Sequence, residues 1–198
     1  MNARRIAYLI SFALIVATAT GCSVSAPSKF YTLDSTALPD GTPVAHTQVM
    51  VGPVTVPAAV DRPEFVVQVA PNRVEVDEFN RWIAPLNDAV ARAVAGDLVV
   101  MLGTPDVATS SLADFNPAYR VTIDIQRFDS IHGEAAVLEA VWTVRKIAGG
   151  ETRSDRTVAR ETVQGQSFEA LANAHSRALT KMSGDIAAAI RAEAEQKP

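Results

Sequence analysis

From Tyr119 to Gln126 the chain reads Tyr-Arg-Val-Thr-Ile-Asp-Ile-Gln, apolar and polar residues in strict alternation. Successive side chains of a strand point to opposite faces, so this spelling describes a strand with one dry face and one wet face. Such a strand needs neighbours at its edges and a cover over its dry side. The sequence that follows supplies both. Leu138, Ala140, Trp142 and Val144 repeat the alternation with Glu139, Thr143 and Arg145 between them. Ala148-Gly149-Gly150-Glu151 reads as a turn, and Arg156 to Val163 as a returning strand polar enough to be an edge. Phe128 falls out of phase with the first strand, which predicts a bulge near Gln126. Phe168, Leu171, His175, Leu179, Met182, Ile186 and Ile190 then recur at helical spacing, predicting a long amphipathic helix from about Ser167 to about Glu193.

The preceding half carries weaker versions of the same signals. Lys29 to Leu33 (KFYTL) reads as a short strand, and the turn-forming residues from Asp34 to His46 as a loop. Gln48 to Val56 is β-branched but broken by Gly52-Pro53, the mark of a bulge or an edge strand. Phe65, Val67 and Val69 alternate, as do Val74 and Val76 beyond Pro71-Asn72, and together they predict a hairpin. A helix should begin near Pro85, carry Leu86, Val90, Val94, Leu98 and Met101 or Leu102 on one face, and stop at Gly103. Thr104 to Asn116 is polar and loop-like. Strands, helix, three strands, helix: the expected class is α+β, a largely antiparallel sheet with two main helices packed on one face. No internal repeat or long linker divides the chain, so a single domain is expected over residues 29–198.

The first 28 residues belong to a different argument. Arg4 and Arg5 precede an apolar run, Ile6 to Ala17, and small residues follow it. That is the layout of a secretory signal, and the run falls short of the roughly 20 apolar residues that a membrane span needs. Ala19-Thr20-Gly21-Cys22 then resembles a bacterial lipobox at Thr20, Gly21 and Cys22, with Ala19 where Leu is usual. The resemblance implies that residues 1–21 are removed, that Cys22 is acylated, and that residues 22–28 form a tether of small residues. A lone thiol has no disulfide partner in an oxidising compartment, which an acylated thiol does not need. Each buried methylene contributes ~0.8 kcal/mol and more than one chain makes the attachment stable. Ser23 stands where an Asp would hold such a lipoprotein at the inner membrane, so the resemblance implies outer-membrane delivery.

Composition and motifs narrow the function mainly by exclusion. Without its first 21 residues the chain keeps 16 basic residues against 22 acidic ones, a balance that disfavours nucleic acid as a partner. His46, His132 and His175 are far apart and follow no metal-ligand spacing. His175 falls on the apolar side of the last helix, where a buried neutral imidazole with a hydrogen-bond partner is the simpler reading. There is no nucleophile elbow, phosphate loop or dinucleotide fingerprint. Asp124 and Glu139 would pair only if adjacent strands brought them together. No catalytic, cofactor-binding or metal-binding residue is assigned, and the chain is expected not to be an enzyme.

Val51 to Leu86 is the most informative segment. With Lys29 to Leu33 it supplies Gly52-Pro53, Pro57, Asp61-Arg62-Pro63, Val66, Arg81-Trp82 and Pro85-Leu86. On these residues the chain resembles the ABC-type transport auxiliary lipoprotein family (paraquat-inducible protein C-like). Gln68 departs from the pattern, standing where the family often has arginine. The resemblance implies a non-enzymatic, periplasm-facing lipoprotein. Its expected companions are an ABC permease, an ATPase and a mammalian-cell-entry domain protein, and its expected work is to dock a lipid conduit to the outer membrane. A lipid carrier that holds phospholipid in its own apolar cavity is the alternative. Interfaces draw on aromatic and arginine side chains, which makes Arg62, Phe65, Arg81 and Trp82 the candidate partner-binding residues. Three have a second reading: Trp82 could fill the core, Arg62 could ion-pair within its turn, and Arg81 could brace the hairpin.

Overall fold

The computed structural model describes residues 26–39, 47–110 and 115–195. The expected signal (1–21), Cys22 and His46 lie outside the described residues. Eight strands and two helices follow in the order β1 (Lys29–Tyr31), β2 (Val49–Thr55), β3 (Glu64–Ala70), β4 (Arg73–Trp82), α1 (Leu86–Leu102), β5 (Val107–Ala108), β6 (Tyr119–Ile131), β7 (Ala135–Lys146), β8 (Thr152–Thr162) and α2 (Phe168–Glu195).

The alternating stretch forms β6, the centre of the sheet. Its whole length pairs antiparallel with β7, and β7 pairs antiparallel with the edge strand β8. Two strands share its other side, β2 running parallel beside Tyr119–Asp124 and β3 parallel beside Ser130–Ile131. Beyond β3 come β4, antiparallel, and β1, parallel to β4; the short β5 lies beyond β2, also parallel. The long ladders are antiparallel as expected, and the sheet as a whole is mixed. The class is α+β, in one domain.

The register of β6 slips between Ile125 and Arg127, the bulge that Phe128 called for. An extra residue there returns Phe128 to the dry face, where it is 3 % exposed. β2 slips between Val51 and Val54, at the cis Gly52–Pro53 bond, yet it has strands on both sides and is not an edge.

Both helices cover the same face. α1 lies on β2, α2 on β7 and β8, and the helices pack on each other. Pro85 is the residue before α1, and Gly103 ends it in the left-handed conformation (φ 65°), which costs glycine little. The expected stripes are the buried ones: Leu86, Val90, Val94 and Leu98 from α1, and Leu171, Leu179, Met182, Ile186 and Ile190 from α2 meet Leu138, Ala140 and Trp142 of β7. Between Val69 and Val74, by contrast, the hairpin tip is open to solvent.

Two polar devices lie inside this packing. His175 is fully buried, stacked on Phe128 at 3.9 Å between ring centroids, with Nε2 2.8 Å from the Ser130 hydroxyl. Burial holds the imidazole neutral and pushes its pKa down to about 3. Asp97 of α1 is the second. Its carboxylate accepts from Ser35 Oγ at 2.6 Å, from Thr180 Oγ1 at 3.1 Å and from Ser183 Oγ at 2.9 Å, while burial pushes its pKa up. The backbone N–H of Asp34 donates to Ser176 Oγ, and Thr36 meets Thr180 at 2.7 Å. The chain after β1 is thereby fastened across the α1–α2 seam, where a Cβ on Gly96 would crowd Ser35 at 3.1 Å.

Candidate functional site

Three separate segments meet at the end of β4. The Trp82 N–H donates to the Pro63 carbonyl at 2.6 Å and the Ile83 N–H to the Tyr31 carbonyl at 3.0 Å. These bonds join the turn before β3, the strand β1 and the entry to α1. Between them is a surface groove of about 450 Å³, lined by Phe30, Arg62, Pro63, Arg81, Ile83 and Pro85 among others. Trp82 lines its floor, and an aromatic cluster lies behind it. Phe65 stacks on Trp82 with centroids 4.1 Å apart, and Tyr31 and Phe168 meet Phe65 edge-on at 5.4 and 5.3 Å. Such a cluster adds offset-stacked and T-shaped contacts to simple area burial, which makes the groove a stiff feature.

The four candidate residues divide here. Phe65 is wholly buried and Trp82 only 5 % exposed, so both are core side chains, as the second reading of Trp82 has it and against the exposed contact expected of Phe65. The reason is packing: Phe65 lies against Phe168 of α2, and Trp82 against His175 of α2 and Phe128 of β6, so both inward side chains are covered. Trp82 still lines the groove. Arg81 is half-buried and bonds Glu64 at 2.7 Å across the hairpin, bracing the β3–β4 pair. A pair this exposed contributes at most about 1 kcal/mol. Arg62 is exposed, and its guanidinium makes no ion pair among the described residues.

Phe30 and Ile83, 57 % and 59 % exposed, are groove residues that the sequence reading passed over. A signal existed. Phe30-Tyr31 and Trp82-Ile83 are adjacent apolar pairs, and in a strand only one member of such a pair can face the core. A second groove, about 520 Å³, separates β1 from the start of α2 and is lined by Lys29, Thr32, Asp34, Glu169 and Asn173, a polar set.

The other chemistry-bearing residues stay apart. Asp124 lies opposite Val141 and accepts from Thr55 Oγ1 at 2.5 Å, whereas Glu139 sits between Arg127 and Arg156 at 3.5 and 2.6 Å. His132 is near the ring of Phe168. Among the described residues no three His, Cys, Asp or Glu side chains converge to hold a metal, and no helix is long and apolar enough to cross a membrane. Gln68 donates from Nε2 to the Ala70 and Pro71 carbonyls, closing the hairpin turn, while its buried Oε1 has no partner.

A family model described as "ABC-type transport auxiliary lipoprotein component" matches residues 31–187. The chain belongs to that family. The family is a transport component of the cell envelope and not a family of enzymes. Solved structures agree on the fold. The crystal structure of protein XCC0632 from Xanthomonas campestris, a DUF330 protein, superposes with a TM-score of 0.65 at 20% identity, over 80% of this chain and 92% of that one. Another, titled only as an uncharacterized protein, superposes with a TM-score of 0.69 at 17% identity, over 83% of this chain and 99% of the other. No curated protein matches the chain.

Proposed function

We propose that the chain is the docking lipoprotein of an intermembrane lipid transport system built on a mammalian-cell-entry domain protein with its ABC permease and ATPase. In this reading acylated Cys22 holds it to the outer membrane, facing the periplasm. The groove beside β1 grips the conduit through exposed Phe30, Ile83 and Arg62.

One observation carries the reading. Many of the residues by which the sequence resembles the family meet at one groove: Phe30, Asp61-Arg62-Pro63, Arg81-Trp82 and Pro85-Leu86 all line it, while Gly52-Pro53, Pro57 and Val66 do not. A shared fold alone would not require the shared residues to collect at one surface. An apolar rim carrying an unpaired arginine suits a protein partner, since exposed aromatic and arginine anchors dominate such contacts. Confinement at a membrane raises the effective concentration, so modest affinity suffices. The carrier alternative needs room between helices and sheet, and that space is filled by Leu138, Trp142, Leu179, Met182 and Ile186, none more than 2 % exposed.

The test is affinity purification of the tagged full-length protein from solubilised envelopes, with co-purifying proteins and lipids identified by mass spectrometry. A mammalian-cell-entry protein should be recovered, and lost with the double variant Arg62→Glu, Ile83→Ser, which leaves the core untouched. Undiminished recovery with that variant would remove the groove from the interface. Phospholipid recovered with no transport component would favour the carrier.

A further inference from the structure

Four of the nine exposed large apolar side chains among the described residues, Val69, Val74, Val76 and Phe79, sit on the β3–β4 hairpin. Register explains how. Val66 pairs with Val76 and Gln68 with Val74, so these four share the face turned away from Phe65 and Val67. Val69 continues the opposite face, past the point where the helices cover it. Phe79 stands out from a kink where the Asp77 carboxylate accepts the N–H groups of Phe79 and Asn80 at 2.9 and 2.8 Å. The free end of the hairpin therefore exposes an apolar face, Val74 and Val76, with Val69 at its tip, while the face shared by Val67 carries Glu75 and Asp77. An exposed apolar patch edged by charged side chains suits a medium that is apolar inside and polar at its boundary. The hairpin's charge is nearly balanced, with Arg73 3.9 Å from Glu75.

The direction of the chain identifies that medium. β1 runs parallel to β4 with Lys29 beside Asn80, so the residues before Lys29 come from the side of the hairpin turn. Cys22 is seven residues before Lys29, a reach of at most about 25 Å. Asn72 in the turn is eight residues before Asn80 along the chain, or roughly 26 Å of strand. An extended tether thus brings Cys22 level with Pro71-Asn72 and little farther.

The geometry points to the β3–β4 hairpin tip as a second membrane contact, a wedge of Val69, Val74 and Val76 seated in the lipid interface that holds the acyl chains of Cys22. This rests on Cys22 being acylated. Apolar insertion, not charge, drives the contact, so it persists at high salt. It also orients the domain, because β4 carries the wedge at one end and the docking groove at the other, about 30 Å away.

The test places an environment-sensitive fluorophore on Val74→Cys or, as a matched control, Val158→Cys, which are 58 % and 62 % exposed. Each full-length mature protein is reconstituted in vesicles of phosphatidylethanolamine and phosphatidylglycerol doped with doxyl-labelled phosphatidylcholine. The label at position 74 should shift to the blue and be quenched by the doxyl lipid in low and high salt, while position 158 stays wet. Mass spectrometry of the N-terminal peptide reads the acylation independently. An acylated Cys22 with position 74 as wet as position 158 overturns the wedge and leaves the anchor standing. A blue shift without doxyl quenching means that protein covers the hairpin, which also overturns it. An unacylated chain removes the anchor on which the wedge rests and overturns both.

Discussion

β7 and β4 are neighbours in kind but opposites in environment. Of the twelve residues of β7, seven are buried, on both faces at its start, whereas β4 buries only Trp82 of its ten. Both strands are rich in valine and both alternate. What differs is the cover: α2 lies along β7 and meets the base of the hairpin through Phe168 and His175. Alternation therefore specifies a strand and its two faces, while a second element decides whether either face is dry.

The largest break in that contrast should come from a cavity under α2. Leu138→Ala should cost about 3 to 4 kcal/mol in urea unfolding, because the side chain is wholly buried between helix and sheet. Val74→Ala on the hairpin should cost less than about 0.5 kcal/mol. Equal costs would mean that the hairpin is covered in the isolated protein.

Acid should open the same region. The His175 pKa is about 3 in the fold and near 6.5 when unfolded, so between these values the unfolded chain binds the extra proton. Stability is then fully present above the unfolded value and lost as pH falls. The loss should reach about 3 kcal/mol by about pH 4.5, at 1.36 kcal/mol per pH unit. His175→Gln, which cannot charge, should flatten that slope; an unchanged slope would assign acid sensitivity to other groups.

A smaller effect should sharpen the view of the α1–α2 seam. Asp97→Ala removes the acceptor shared by Ser35, Thr180 and Ser183 and should cost about 2 kcal/mol. The wild-type contribution has the opposite pH sense to that of His175: a carboxyl raised by burial binds its proton more readily in the fold. Stability from this group therefore declines as pH rises through its folded pKa and is flat beyond it. Hydrogen exchange at Asp34 to Ala37 should quicken in the variant.

Much of this was legible in advance, for reasons that the exceptions make plain. The strands β6 to β8, both helical stripes, the stop at Gly103 and the bulge before Phe128 follow from periods of two and 3.6 and from local geometry. The parallel pairings of β1 with β4 and of β2 and β3 with β6 were not legible, because they join segments tens of residues apart with no turn to announce them. β5, two residues after Pro105, is too short to leave a period. Asp97 was missed although a signal was present: Ser176, Thr180 and Ser183 recur at helical spacing, a row of hydroxyls facing one acid on the other helix. Of the candidate contact residues, the arginines stayed at the surface because their charge must be hydrated or paired. The aromatics could go either way, and the positions of Phe168, His175 and Phe128 decided it.

The fastening of Ser35 and Thr36 to the helices has a mechanical consequence. A pull on the N-terminal segment loads the β1–β4 hydrogen bonds along the strand axis, all at once rather than one by one. Behind them, the Ser35–Asp97 and Thr36–Thr180 contacts pass the load into both helices. The domain is thus built to take a pull on its N-terminal strand without unravelling from that end.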